Sequence, residues 1–262
     1  MTVRIAVVGA GGRMGTAIVR LAREHDLTVA RAIGLSGVGE DVGVLAGVGK
    51  LDVAMESDVS ALASGGFDVA IDFSSADALP RVASTVATAG AAFVSGTTGL
   101  TPSGEEALRA ASECVPVLWE PNLSVGVQVL SQLLQQAIRA LGEGFDVEIV
   151  ETHHRKKVDA PSGTALRLAE VAREARGGAE LRYGREGRPG ERKRDEVGVH
   201  AVRGGDVIGD HSIHLLGQGE RIELVHRATS RDLFAHGALR AAAWIAGKPA
   251  GRYALSAVLA PR

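Results

Sequence analysis

The stretch Val3-Arg-Ile-Ala-Val-Val-Gly-Ala-Gly-Gly-Arg-Met-Gly15 decides how the first half of the chain is read. Val3 to Val8 is an almost unbroken apolar run that ends in glycines, the pattern of a strand buried on both faces of a parallel sheet. Thr16 to Arg23 follows with Ala17, Ile18, Leu21 and Ala22 at helical spacing. The glycines do not fit a strict GxGxxG, because Met14 stands in the third place; what fits is Gly9-x-x-Gly12-x-x-Gly15. The physical requirement is the same. Glycines permit the tight turn, and the free amides opening the helix face an anion such as a pyrophosphate. Such a turn can also close a strand–helix unit that binds nothing. With the strand before it and the helix after it, Gly9, Ala10, Gly11, Gly12, Arg13 and Met14 become candidates for a dinucleotide site.

Further strand-like runs lie at Leu27 to Ile33, Phe67 to Phe73, Ala92 to Ser95 and Val115 to Trp119, with helical stretches at Pro80 to Ala89 and Ser103 to Glu113. Strands alternating with helices imply an α/β, doubly wound parallel sheet, whose ligands sit beyond the carboxyl ends of the strands. Two loops occupy that position: Gly96-Thr97-Thr98-Gly99 and Glu120-Pro121-Asn122-Leu123-Ser124. Both suit a cofactor contact, and Thr and Asn there equally suit ordinary loop capping. The second strand runs into Val29-Ala-Arg-Ala-Ile-Gly-Leu-Ser36 without the acid that would hold ribose hydroxyls. Nothing there repels a 2′-phosphate and, apart from Arg13, no cation clamps one. Use of both NADH and NADPH with weak discrimination is the expectation.

After Asn122 the texture changes. Val127, Leu130, Leu134, Ile138 and Leu141 line one face of a long helix, followed by an alternating strand from Asp146 to Val150. A helix bearing Ala165, Leu168, Ala169 and Ala172 comes next, then a charge-rich stretch, Gly177 to Arg194, that reads as a surface loop. Strands at Val197 to Val202, His211 to Leu216 and Arg221 to His226 follow, the last two joined by the hairpin signal Gly217-Gln218-Gly219. Grouped strands of this kind imply a second α+β domain with a mostly antiparallel sheet. The expected division is a nucleotide domain over 1–125 and a substrate and oligomerisation domain over 126–232. A C-terminal helix within 233–262, closed near Gly247 and Pro249, is expected to pack back on the first domain.

Bulk properties narrow the function classes. A chain of 262 residues with 45% hydrophobic and 23% charged residues can build two cores. A net charge of −2 and 3% aromatic residues argue against a nucleic-acid surface. The single cysteine, Cys114, can form neither an intrachain disulfide nor a cysteine metal cluster, which fits a reducing compartment. The opening apolar run is too short for a signal peptide or a membrane span, so the cytoplasm is the expected location, without a membrane partner.

The chemically unusual stretch is Glu151-Thr-His-His-Arg-Lys-Lys-Val-Asp-Ala-Pro-Ser-Gly-Thr-Ala165. His153 to Lys157 leave a strand together, and Ser162 stands where it would cap a new helix whose free amides include those of Gly163 and Thr164. Concentrated positive charge beside a helix start suits an anionic small molecule, and histidine exchanges protons near neutral pH. The plain alternative is a solvated charge run. A zinc site is disfavoured, because adjacent histidines do not easily meet one metal and no HExxH or cysteine set accompanies them. His200, His211, His214 and His226 read as packing or surface residues.

Taken in order, GAGGRMG, DFSSADA, GTTGL, PNLSVGV and above all ETHHRKKVDAPSGTA resemble the dihydrodipicolinate (4-hydroxy-tetrahydrodipicolinate) reductase family, and the likeness continues through VHAVRGGDVIGDHSIHLLGQGERIELVHRATSR. The resemblance implies a Rossmann-like nucleotide domain, a tetramerising substrate domain, and hydride transfer from NAD(P)H to a cyclic dicarboxylic imine in lysine and diaminopimelate synthesis. It implies His153 as proton donor and acceptor, Lys157 as a second donor, and His154, Ser162, Gly163 and Thr164 as substrate contacts. Its cofactor positions fall on Gly9 through Met14, Gly34, Gly96 through Thr98, and Glu120 through Leu123; the acidic ribose contact falls at Gly34 and is missing. Another two-domain amino-acid dehydrogenase and a non-catalytic NAD(P)H sensor are the rival readings.

Overall fold

The structure is a computed structural model, which describes residues 2–259. β1 (Val3–Val8) lies in the interior of the first sheet, and its alternate residues feed two different cores. Ile5 and Val7 pack with Ile18 and Leu21 of α1 (Arg13–Leu21), whereas Ala6 and Val8 face the opposite side. The chain continues through β2 (Leu27–Ile33), the four-residue α2 (Val42–Leu45), β3 (Met55–Glu56), β4 (Val69–Asp72), α3 (Leu79–Thr88), β5 (Ala92–Ser95), α4 (Pro102–Ser112) and β6 (Pro116–Trp119). Val82, Val86 and Leu108 of α3 and α4 cover the second face. These strands lie in the order β6-β5-β4-β1-β2-β3, every pairing parallel. Strand order reverses at β1 and β4, and the crevice opened there, beyond the carboxyl ends, is where such sheets take ligands. The sequence does not announce β3 or α2, which are too short to show a period.

The second sheet follows α5 (Val125–Leu141): β7 (Asp146–His153), α6 (Gly163–Ala175), β8 (Glu180–Tyr183), β9 (Glu196–Arg203), β10 (Asp210–Leu216) and β11 (Arg221–Arg227). Leu130, Leu134 and Ile138 of α5 and Leu168, Ala169 and Ala172 of α6 pack on one face, against Val147, Ile149, Val197, Val199, Ile213 and Leu215. The order is β11-β10-β7-β9-β8. β10 runs antiparallel to β7 and β11, as the hairpin signal implies, but β9 runs parallel to both β7 and β8. The sheet is therefore mixed where a mostly antiparallel one was expected. Two returns of the chain are the cause: α6 brings it back so that β8 runs in the direction of β7, and residues 184–195 bring it back again so that β9 does too. The stretch 177–194 likewise contains a strand, β8. As an edge strand with three of its four residues exposed, β8 carries no apolar alternation.

α7 (Asp232–Ile245) returns to the first sheet's core, contributing Ala235, Ala238, Leu239, Ala242 and Ile245. A Cβ on Gly237 would lie 1.7 Å from the Leu123 carbonyl oxygen, so only glycine lets this helix seat on that loop. The helix stops at Ile245, just before Gly247 (φ 75°), where the sequence places its closure. β12 (Gly251–Tyr253) then joins β6 in parallel, and α8 (Leu255–Val258) follows. Residues 260–262 lie outside the described residues. Contacts divide the chain into two compact units, one of residues up to Val125 with those from Asp232 onward, the other Gly126–Arg231.

Candidate functional site

The glycine turn is built as its chemistry requires. The Gly9 and Ala10 amides both donate to the Ile33 carbonyl at 2.9 Å, and Gly9 takes the left-handed φ of 78°. A Cβ on Gly9 would fall 2.6 Å from the Phe73 carbonyl oxygen, which places the turn against the end of β4. Gly11 and Gly12 are exposed, and Gly12 precedes α1 without a side-chain cap or an acid in the first turn. The helix start therefore presents amides that no side chain has claimed and no carboxylate opposes, which fits a pyrophosphate. Arg13 is exposed, while Met14 is half-buried against the core.

Gly34 explains the missing ribose acid. A Cβ there would meet Met55 Sδ at 2.8 Å and the Gly11 amide nitrogen at 3.0 Å, so packing of β3 on the glycine turn leaves no room for a carboxylate side chain. Arg31, the nearest strand cation, is taken by a 3.0 Å ion pair with Glu56.

Asp72, fully buried, organises the next loop. It accepts 2.8 Å bonds from the Ser95 and Thr97 hydroxyls and one of 3.0 Å from the Ser74 amide. Thr97 thus spends its hydroxyl inward, and Trp119 Nε1 donates to its carbonyl at 2.8 Å, while Thr98 stays exposed. A Cβ on Gly96 would clash with the Phe73 ring at 2.4 Å. Glu120 is turned inward, accepting from the Leu255 amide at 3.4 Å, and Leu123 is buried in the core. Pro121 is exposed, and the Asn122 side-chain oxygen accepts from the Ser124 amide at 2.9 Å. Any ligand contact at Glu120 through Leu123 then falls to backbone and to Pro121 and Asn122.

The second cluster stands at the end of β7, where strand alternation sends Glu151 and His153 to the covered face. His153 Nδ1 lies 2.5 Å from Glu151 Oε2, with the Glu151 side chain fully buried. Arg203 grips the same carboxylate with two bonds of 2.8 Å, and the Ser162 amide donates to it at 2.9 Å. Burial alone would raise the Glu151 carboxyl, but the bonds from Arg203, His153 and Ser162 outweigh it and hold it below the usual range. Ser162 caps α6 as expected, its hydroxyl accepting from the Ala165 amide at 3.1 Å. Lys157 pairs with Asp159 at 2.8 Å, and Arg203 also donates to the Asp159 carbonyl at 2.6 Å. His154 sits apart, its Nε2 3.3 Å from the Arg231 guanidinium. The structure thus draws His153, Lys157 and Ser162 onto one Glu151–Arg203 framework.

Sequence reasoning missed that framework, together with His211. An acid ending a strand and an arginine 52 residues later give no local sign of meeting. His211, read as a packing residue, has Nε2 3.4 Å from the Ser162 hydroxyl and its ring 5.4 Å from that of His153. Desolvation, then the neighbouring His153, push its pKa down from 6.5 to about 4. Unfolded, this imidazole takes up a proton below pH 6.5; folded, it refuses one until about 4. Its contribution to stability is full above pH 6.5 and is lost as pH falls, by up to about 3 kcal/mol. Unfolding free energy followed from pH 7 to 4 should therefore drop less in His211→Gln than in the parent; an identical drop would contradict the assignment. Among the described residues no group of three or more His, Cys, Asp or Glu side chains is arranged to hold a metal, and no helix is long and apolar enough to cross a membrane.

Comparison with known proteins fits this geometry. Residues 3–123 match the family model described as dihydrodipicolinate reductase, N-terminus, and residues 126–259 match the model of its C-terminus. The chain is 51% identical to a 4-hydroxy-tetrahydrodipicolinate reductase of Anaeromyxobacter dehalogenans, over 99% of this chain and 98% of the relative. It is 46% identical to the protein of that name from Myxococcus xanthus, over 98% and 97% of the two chains. Among solved structures, the dipicolinate-bound dihydrodipicolinate reductase from Paenisporosarcina sp. TG-14 superposes with a TM-score of 0.78 at 23% identity, covering 97% of this chain and 98% of that one. An amine dehydrogenase from Mycobacterium smegmatis gives 0.70 at 13% identity, over 100% and 97% of the chains, and shares the fold alone.

Proposed function

The chain belongs to the dihydrodipicolinate reductase family, and on that footing we propose that it reduces the cyclic dicarboxylic imine formed from 4-hydroxy-tetrahydrodipicolinate to tetrahydrodipicolinate, in lysine and diaminopimelate synthesis. The observation that carries the reading is the shared Glu151 carboxylate, which ties the proton-exchanging His153 to the amide of Ser162 at the start of α6. A dianionic ring needs both functions, an anion grip and an acid, at one place.

In this reading Gly9 through Met14 hold the cofactor's pyrophosphate, and Gly34, Gly96 through Thr98 and Glu120 through Leu123 flank the rest of it. The reduced nicotinamide supplies the hydride. On the substrate side, His154, Ser162, Gly163 and Thr164 hold the carboxylates and orient the ring. Lys157, now paired with Asp159, exchanges that partner for the substrate's negative charge. His153 delivers the proton that quenches the electron pair left on the ring, with Lys157 as the second donor.

Gly163 supports the anion grip. A Cβ there would meet nothing within 4 Å, and its backbone is not left-handed, so the fold itself does not call for glycine. Close approach of a ligand to the amides does. Gly163→Ala should keep the parent's unfolding midpoint while raising KM about tenfold, the loss of roughly one hydrogen bond to a charged group; an unchanged KM would remove the cradle.

The proposed setting is the cytoplasm, and the proposed assembly is a homotetramer. On the sheet face turned away from α5 and α6, Val202, Leu216 and Val225 are exposed among His214, Glu223 and the Glu148–Arg185 ion pair, a mixed apolar and polar surface of the kind a second copy's sheet covers. The reading is tested by generating the cyclic imine with a synthase from pyruvate and aspartate semialdehyde and following absorbance at the reduced-nicotinamide band. Consumption of both NADH and NADPH is expected. Binding of the nucleotides without consumption would instead favour a sensor.

A further inference from the structure

We infer that Glu151 is a positioning residue that fixes the tautomer of His153: Nδ1 always carries a hydrogen donated to Glu151, and the exchanging proton is confined to Nε2, on a side that Gly209 keeps open. This rests on the proposed reductase reading and specifies how its acid is set.

The argument is one of donor and acceptor accounting. Glu151 Oε1 accepts from Arg203 Nη2 at 2.8 Å and from the Ser162 amide at 2.9 Å; Oε2 accepts from Arg203 Nη1 at 2.8 Å and faces His153 Nδ1 at 2.5 Å. Three of those four partners can only donate, and a carboxylate so surrounded stays ionised and can only accept. The fourth partner must therefore donate as well, which places a hydrogen on Nδ1. In the neutral ring Nε2 then has a lone pair, and in the charged ring it carries the proton to be given away.

Gly209 supplies the second, independent observation. A Cβ at that position would stand 2.9 Å from His153 Nε2 and 3.4 Å from its Cδ2. Its backbone is not left-handed, so conformational freedom is not what glycine provides there. What it provides is room beside Nε2. During turnover, hydride addition leaves an electron pair on the ring's enamine. That pair takes the Nε2 proton, forming a C–H bond as the N–H bond breaks, and the imidazole is left neutral with Nδ1–H still on Glu151. Solvent then returns a proton to Nε2.

The test combines a nitrogen-15 NMR measurement with a mutant cycle. In the parent protein with the His153 ring neutral, Nδ1 should be protonated and Nε2 unprotonated; the reverse pattern would overturn the inference whatever the enzyme's activity. In Glu151→Gln the amide oxygen keeps the Ser162 amide and Arg203 Nη2, while the NH2 group takes the Oε2 place, gives up the Arg203 Nη1 bond and turns to the ring, which should reverse the tautomer and lower kcat about 10²-fold or more. In a His153→Ala background the same change should alter kcat less than about twofold, since groups acting as one unit are not additive. Equal losses of kcat in both backgrounds would show a merely structural role and sink the proposal. Should Glu151→Gln not fold, Gly209→Ala is expected to lower kcat about tenfold or more by crowding Nε2 with NADH affinity intact; unchanged turnover counts against the inference. Failure of the parent to consume the cyclic imine would remove the reductase reading and leave the NMR result to decide this one.

Discussion

Replacing His153 with alanine is expected to lower kcat about 10²-fold or more, the usual range for a positioned proton donor. The residue is buried, held by a 2.5 Å bond to a fully buried carboxylate, and lies on the covered face of β7. Lys157, the second proposed donor, stands at Asp159 and not at the Glu151 carboxylate, and His211 holds no exchangeable charge near neutrality because burial and the adjacent His153 push its pKa down to about 4. The loss should appear in kcat and kcat/KM alike, because a proton donor acts in the transition state more than in the bound ground state. NADH affinity, proposed to be set by the glycine turn and the loops of the first unit, should be unaltered. Stopped-flow turnover of the cyclic imine with NADH titrated separately reads both, and a variant turning over at the parent's rate would remove His153 from the reaction.

The second large effect is expected at Gly15. A Cβ there would lie 2.2 Å from the Gly9 carbonyl oxygen and 2.5 Å from the Ala10 Cα, both backbone atoms that cannot rotate away. Gly15→Ala must therefore push α1 off the turn or distort the turn itself, at a cost of upwards of about 2 kcal/mol. It also displaces the amides proposed to face the pyrophosphate, so NADH affinity should fall about 10²-fold or more where the protein remains folded. Gly12 is the internal comparison, since a Cβ there meets only the Gly9 carbonyl oxygen, at 3.2 Å. A urea midpoint with an NADH fluorescence titration checks both effects. Parent-like values for Gly15→Ala would show that the close approach of helix and turn is not essential.

How much of this was legible in the sequence depended on whether the signal was local. The strand–glycine–helix opening, the terminal loops after β5 and β6 and the Ser162 cap depend on residues near one another in the chain, and all are visible there. The parallel pairing of β7 with β9 was not, because the returns of the chain through α6 and residues 184–195, rather than any local pattern, set strand direction. β3 and β12, of two and three residues, carry no period. At the site, His153 and Lys157 stood out as charges in a loop, but Glu151 and Arg203 did not: their meeting depends on the register of β7 with β9, in which His153 pairs with Arg203 and Glu151 with Ala201. Gly209 is silent in sequence for the same reason, since its role is defined by what it leaves open beside a ring 56 positions earlier in the chain, and only the folded structure reveals that gap.

Crystals grown with a nicotinamide nucleotide and pyridine-2,6-dicarboxylate test the central claim most directly. The account predicts the dicarboxylate seated with one carboxylate on the amides of Ser162, Gly163 and Thr164 and with His153 Nε2 and Lys157 turned to the ring. A dicarboxylate lodged away from the β7–α6 loop would contradict it.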